Sequence, residues 1–183
     1  MENLKFCPKC GQETLKWNNI TKFSCSNCDF VLYHNTAAAV AVIIKHGNEL
    51  FFTVRNQEPG KGKLDLPGGF CDPKESAEET CARELFEELE LKIDIQKLKY
   101  LGSRPNIYPY KNINYNTMDL FYEYEVVEKF EIKLEESEIS AGIWIPISEI
   151  KIDEIAFESQ KDFIKNNINL LIKTNNTYID KKA

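Results

Sequence analysis

The fold class that this sequence predicts is an α/β layered sandwich behind a small metal-knuckle module. Three observations predict it: two C-x2-C pairs close together near the start, β-branched apolar runs after them, and two amphipathic helical segments among those runs. The chain has 183 residues, 43% hydrophobic and 11% aromatic, enough to fill a core and unlike a disordered segment. The longest apolar run, Ala37 to Ile44, is far too short to span a bilayer. The first residues show no basic stretch leading into an apolar one, so a cytoplasmic protein without a membrane partner is expected.

Taken in order, the elements are these. Cys7-Pro8-Lys9-Cys10 and Cys25-Ser26-Asn27-Cys28 stand fourteen residues apart, and each knuckle turns two thiolates toward one tetrahedral Zn2+. Gly11 allows the tight turn after the first knuckle. Two disulfides are the competing reading, disfavoured in a cytosolic protein. Four protein ligands leave no open position, so this zinc site would be structural. Thr36 to Ile44 reads as a buried strand, His46-Gly47-Asn48 as a turn, and Leu50 to Arg55 as the hairpin partner. Asn56 to Lys63 is a loop by composition, and Pro73 to Leu91 is a helix capped by Asp72 or a neighbour.

Tyr115 to Val127 alternates. Met118, Leu120, Tyr122, Tyr124 and Val126 face one way, with Asp119, Glu123 and Glu125 opposite, as in a half-buried strand. Ile143 to Ile147 is a further short strand. Phe163, Ile164, Ile168, Leu171 and Ile172 mark a closing amphipathic helix, after which the polar tail frays. The expected organisation is a zinc ribbon over 1–34, a main domain over 35–175 and a flexible tail over 176–183. Cys81 reads as a small buried hydrophobe, Cys71 has no metal-ligand partner by spacing, and His34 and His46 are ordinary residues.

The net charge of −6 is local. Eight acids and two bases fall between Asp72 and Glu90, leaving 21 of each sign elsewhere. This balance offers no broad basic surface for nucleic acid. A glutamate run on a helix is usually a solvated face. On a wheel of ~100° per residue, however, Cys81, Leu85 and Leu89 follow Ala77 at about 40°, 80° and 120°, with Glu88 near 20° and Glu84 near 340°. Glu84, Glu87 and Glu88 are related as i, i+3 and i+4 and abut the core, where a carboxylate needs a partner or a hard cation such as Mg2+.

Gly69 to Glu75, then seven residues, then Arg83-Glu84-Leu85-Phe86-Glu87-Glu88-Leu89-Glu90-Leu91 resembles the Nudix box, G-x5-E-x7-R-E-U-x-E-E-x-G-U, with U a bulky aliphatic residue. Glu90 stands where the box has Gly, and Leu66-Pro67-Gly68-Gly69 resembles the family's approach to the box. The Gly helps to end the helix in the left-handed conformation; Glu there would cost about 1 kcal/mol, or the helix would end differently. The resemblance implies a Nudix-type α/β/α sandwich with a mixed sheet. It implies a Mg2+- or Mn2+-dependent hydrolase cleaving a pyrophosphate linkage, with Glu84, Glu87 and Glu88 as metal ligands, Gly69 offering its carbonyl, and Glu75 and Arg83 bracing the helix. One of the clustered carboxylates would serve as general base.

The cysteine module before the box is similar to the NADH pyrophosphatase group of that family. Glu138 to Trp144 resembles that group's E-I-x-x-A-x-W, with Gly142 replacing the Ala, which implies Glu138 as an additional metal ligand or base; a solvated charge beside Glu135 and Glu136 is the competing reading. Ser103 to Lys111 partly matches S-Q-P-W-P-F-P-x-S, with Tyr108 and Tyr110 available to stack on a base, against the reading of a Tyr/Pro-rich loop packed on the core. Arg55, Lys61 and Lys63 are candidate phosphate contacts, against the favoured reading of plain surface residues. The implied partner is a small NADH-, ADP-ribose- or dinucleotide-like substrate, with nicotinamide-capped RNA as a related reading and a homodimer implied by the resemblance alone. The competing function is a non-catalytic nucleotide sensor or zinc-ribbon binding module.

Overall fold

The computed structural model describes residues 4–130 and 137–173; the expected tail 176–183 lies outside the described residues. The chain divides into two compact units, one reaching Thr36 and taking in Lys111–Ile113, the other comprising Ala37–Tyr110 and the chain from Asn114. In the first, β1 (Leu15–Trp17), β2 (Lys22–Cys25) and β3 (Val31–Tyr33) form an antiparallel sheet. Asn18 closes the β1–β2 turn, its side-chain oxygen accepting from the backbone N–H groups of Ile20, Thr21 and Lys22. The small core is Cys7, Leu15 and Phe23, with Trp17 and Phe30 against it. Strands of three or four residues carry no periodic signal, so the sequence revealed the knuckles and not the sheet.

The second unit is organised by β4 (Ala37–His46), whose run from Val40 to Lys45 is buried on both faces. Val40, Val42 and Ile44 pack with Cys81, Leu85 and Leu89 of helix α1 (Ala77–Leu89). Ala41 and Ile43 pack on the other side with Phe163, Ile164 and Leu171 of α2 (Glu158–Lys173). A strand covered twice reads as a continuous apolar run, as this one does. β5 (Glu49–Arg55) departs from the hairpin reading. It pairs with β4 only at Lys45↔Leu50 and His46↔Glu49, then leaves to pair with β6 (Leu64–Asp65) and β9 (Ile139–Pro146).

The edge that β5 vacates is filled by the segment before α1. Val40 and Val42 donate their N–H groups to the carbonyls of Gly69 and Pro67, and Cys71 donates to that of Ala38. Gly68 makes this possible. Its φ is +146°, and a β-carbon there would lie 2.2 Å from the Val40 carbonyl oxygen.

β7 (Lys99–Tyr110) and β8 (Ile113–Glu125) complete the sheet, ordered β6-β5-β4-β8-β7 with β9 on β5, and β8 runs parallel to β4. Two expectations are corrected here. Ser103 to Lys111 is strand and turn rather than loop. β8 is buried on both faces, since it lies inside the sheet between the two helical layers: Asp119 and Glu123 are as enclosed as Tyr122 and Tyr124, while Met118 is exposed. Ile172, placed on the buried stripe of α2, is also exposed. Among the described residues no helix is long and apolar enough to cross a membrane.

Helix α1 begins later than its composition suggested. Ser76, not Asp72, is the cap: its hydroxyl accepts from the Glu79 N–H, and the Glu79 carboxylate accepts from the Ser76 N–H. Glu75 therefore stays outside the helix. At the other end Glu90 sits at φ 52°, ψ 21°. Glu90→Gly removes the cost of holding a side chain in that conformation, so denaturant melts are expected to show a gain of about 1 kcal/mol. An unchanged midpoint would mean that Glu90 recovers the cost through its own contacts.

Candidate active site and cysteine cluster

The cysteine cluster comes first in the chain. Its four sulfur atoms lie within 4.8 Å of one another. Cys7 Sγ is 3.8 Å from Cys28 Sγ, and Cys10 Sγ is 3.7 Å from Cys25 Sγ. A disulfide holds sulfurs at about 2.05 Å, whereas a tetrahedral zinc with Zn–S near 2.3 Å separates them by about 3.8 Å. The donor set thus fits Zn2+ and not two disulfides. The Thr14 hydroxyl, 3.1 Å from Cys25 Sγ, pulls that thiol down to about 6, toward the thiolate that a metal requires.

Around α1, the loop just described carries Gly69 against Glu84. A β-carbon on Gly69 would lie 2.4–2.9 Å from the atoms of the Glu84 carboxylate, so a side chain there would displace that carboxylate. The Gly69 carbonyl already accepts from the Val40 N–H, leaving one lone pair for a ligand. Gly68 donates its N–H to Glu88 Oε2 at 3.1 Å. Arg83 ties the group together, with Nε 2.9 Å from Glu75 Oε1, Nη1 2.8 Å from Glu84 Oε1 and 3.0 Å from Glu87 Oε2, and Nη2 3.0 Å from the Phe70 carbonyl. Glu75 also accepts from the buried Thr80 hydroxyl.

Electrostatically the site is short of positive charge. Burial pushes the Glu88 carboxyl well above the ordinary carboxylate range, and Asp65, Glu84 and Glu138 push it further. Burial likewise raises Glu84, against the pull of Arg83. Glu138 is exposed, yet acts on both groups. Glu87 is exposed. These acids do not converge as tightly as the sulfurs; among the described residues the four cysteines are the group whose ligand atoms meet at one point. Cys81 is buried, and burial raises its thiol to about 12, consistent with a packing residue.

The residues nominated for the substrate are placed separately. Arg55 donates to the Pro59 carbonyl, pairs with the buried Asp65 at 2.5 Å, and lies 4.9 Å over the Phe157 ring. Tyr108 and Tyr110 stack on β7 at 6.5 Å between centroids, and Tyr108 meets Phe70 edge-on at 5.5 Å. Lys61 and Lys63 are exposed on their loop. A cleft joins Arg55, Tyr108 and Phe70 to Gly68 and Gly69, and with them Asp65, Asn106, Asp119 and Gln160, none of which sequence reasoning nominated. Asp119 lies on a strand whose alternation was read for burial alone, and Asn106 in the Ser103–Lys111 segment, where only Tyr108 and Tyr110 were singled out. Asp65 and Gln160 come together across 95 residues, which no local pattern signals.

Residues 34–166 match the family model described as NUDIX domain. The chain is 31% identical over 142 residues to the NAD-capped RNA hydrolase NudC of Haemophilus influenzae (strain PittGG), a match covering 76% of this chain and 50% of that protein. It thus spans about half the length of the curated relatives it matches. A NUDIX hydrolase from Nitrosomonas europaea superposes with a TM-score of 0.64 at 22% identity, covering 91% of both chains. A bifunctional NMN adenylyltransferase/ADP ribose pyrophosphatase from Francisella tularensis, complexed with AMP and a manganese ion, superposes with a TM-score of 0.59 at 20% identity over 76% of this chain and 43% of that one.

The raised carboxyls set a pH dependence. Without added divalent ions the folded protein holds protons on Glu84 and Glu88 at pH values where the unfolded chain, with glutamates near 4.5, has lost them. Stability therefore falls as pH rises from about 4.5 through the raised values, because the folded state binds more protons there. Glu88→Gln keeps an acceptor for the Gly68 N–H and removes the charge. Thermal melts are expected to show a higher Tm at pH 8 and a flatter pH profile; a lower Tm with the wild-type slope would refute this account.

Proposed function

Because this chain belongs to the NUDIX family, we propose that it hydrolyses the pyrophosphate linkage of a nucleoside diphosphate derivative of the NADH, ADP-ribose or dinucleotide type, with Mg2+ or Mn2+ as cofactor. The observation that carries this reading is the concentration of carboxylates on one face of α1, with Glu84 and Glu88 both raised by burial, Glu84 further by Glu87, and Glu88 further by Asp65 and Glu84. Hard oxygen donors of this kind suit Mg2+. Glu84, Glu87, Glu88 and Glu138, with the Gly69 carbonyl, would hold the metal; when bound, it neutralises diphosphate charge and activates a water.

The chain's own residues do the rest. Arg83 and Glu75 fix the rotation of α1 relative to the loop that carries Gly69, so that glutamates on a helix and a carbonyl on a loop serve one centre. A carboxylate raised in pKa by burial takes a proton from water near neutral pH more readily than an ordinary glutamate does. Tyr108, Tyr110 and Phe70 offer aromatic faces to a base, and Arg55, held on Asp65, lies beside them. The curated relatives named NAD-capped RNA hydrolase support a nicotinamide-bearing substrate, free or on RNA. The balanced charge outside the α1 segment favours the small molecule.

Purified protein with Mg2+ is expected to release mononucleotide from at least one of NADH, ADP-ribose and a dinucleoside polyphosphate. Glu87→Gln should lower kcat by roughly two orders of magnitude or more, as loss of a metal ligand or base does. A panel with no turnover would overturn the proposal and favour a nucleotide sensor, and a Glu87→Gln variant as active as the wild type would remove Glu87 from the metal site.

For the cysteine cluster we propose one structural zinc, with Cys7, Cys10, Cys25 and Cys28 as its ligands. Elemental analysis is expected to find one zinc per chain, released by a thiol-reactive mercurial and lost in Cys25→Ser. Protein never exposed to chelator that lacks zinc would refute this assignment.

A further inference from the structure

The cleft beside the glycine loop contains a group that the hydrolytic reading leaves without a task. Asp119, on β8, is 7% exposed and lines this cleft, yet among the described residues no lysine, arginine or histidine forms an ion pair with it. Three neutral donors hold it instead. The Thr117 hydroxyl lies 2.8 Å from Oδ1, and Asn106 Nδ2 and the Ser159 hydroxyl lie 3.0 and 2.5 Å from Oδ2. A buried carboxylate supported by three side chains from β7, β8 and α2 is fixed in place, and Oδ1 can accept one more hydrogen bond. Asn106 is its complement, since its amide nitrogen carries two hydrogens and Asp119 takes one.

The wall next to this pair is aromatic. Tyr108 packs edge-on against Phe70 at 5.5 Å and tilted against Phe157 at 5.7 Å. The rim is Gly68 and Gly69, the residues in contact with Glu88 and Glu84. A planar ring in this cleft lies against aromatic faces, meets an acceptor beside a donor at its polar edge, and has its sugar-phosphate side near the carboxylates of α1.

We propose that Asp119, with Asn106 beside it, reads the exocyclic N–H2 group of the substrate's heteroaromatic ring and so determines which ring this cleft takes. The proposal rests on the hydrolase reading above and names its substrate determinant. The matching chemistry is an N–H2 donor next to an acceptor, which a nicotinamide adenine dinucleotide carries twice: on the amino edge of adenine and on the carboxamide of nicotinamide. Replacing the N–H2 by oxygen sets an acceptor against the Asp119 carboxylate, and a site built to bond a donor rejects the analogue lacking it far more strongly than an apolar pocket rejects a missing methylene.

Two substrate pairs test this and separate the sources. ADP-ribose against inosine diphosphate ribose reverses the donor–acceptor edge of the purine, amine and N1 acceptor becoming oxygen acceptor and N1–H donor. NAD+ against nicotinic acid adenine dinucleotide replaces the carboxamide by a carboxylate, which removes the donor and adds a negative charge. In one pair the wild type is expected to prefer the N–H2-bearing member at least about tenfold in kcat/KM, the scale of one buried hydrogen bond. Asp119→Asn, which presents an amide in place of the carboxylate, should bring that ratio close to one. Asn106→Ala, at a half-buried position, reads the same contact from its donor side and should raise KM for the preferred member. A wild-type ratio near one in both pairs, or a folded Asp119→Asn protein that keeps the wild-type ratio, overturns the proposal. The four compounds titrated against wild-type protein by calorimetry read the same preference without turnover. Absence of hydrolysis would therefore defeat the hydrolase reading, while the binding ratio still decides this one.

Discussion

The structure of the main unit depends on one strand, β4, that is buried on both faces and bonded along an edge by a glycine loop rather than by its hairpin partner. Val40, Val42 and Ile44 face α1, and Ala41 and Ile43 face α2, so the strand sets the distance between both helices and the sheet. Because β5 leaves after two residue pairs, the N–H groups of Val40 and Val42 would be orphaned without the carbonyls of Gly69 and Pro67. An unsatisfied buried N–H costs about 1–3 kcal/mol, so the loop is held to the strand as firmly as a neighbouring strand would be. That attachment delivers Gly68 and Gly69 to Glu88 and Glu84.

From this follows the division of labour within the acidic segment. Eight acids in nineteen residues would be a solvated face if all pointed outward. The helix instead rotates Glu84 and Glu88 toward the loop because Cys81, Leu85 and Leu89 must meet β4. Glu79 serves the N-cap, Glu78 accepts from the Tyr122 hydroxyl, and Glu75 neutralises part of Arg83. Asp72 and Glu90 are exposed, which leaves Glu84, Glu87 and Glu88 for the loop side. Arg83 Nη1 bridges Glu84 and Glu87, while Glu88 is held by the Gly68 N–H.

The second consequence concerns β8, which runs parallel to β4 and is likewise enclosed. Its polar residues Asp119 and Glu123 are carried into the α2 side of the sheet, where an unsupported charge is costly. Glu123 finds Lys99 at 2.6 Å, while Asp119 is held by neutral donors only. The difference sets apart a carboxylate matched to a cation of its own chain from one kept available at a cleft wall.

Much of this was legible in the residues. Four cysteines in two knuckles, the apolar run of β4, and Glu84, Glu87 and Glu88 at i, i+3 and i+4 against a stripe of Ala77, Cys81, Leu85 and Leu89 are local patterns, and local patterns survive in one dimension. The sequence left two endings open for the helix at Glu90, and the structure takes the left-handed one. Tertiary structure alone decided the departure of β5 from its hairpin, the burial of both faces of β8, and the assembly of Asp65, Asn106, Asp119 and Gln160 around one cleft. Alternation along a strand states that two faces differ but not what covers either; that depends on which strands and helices pack beside it, and those contacts join residues tens of positions apart.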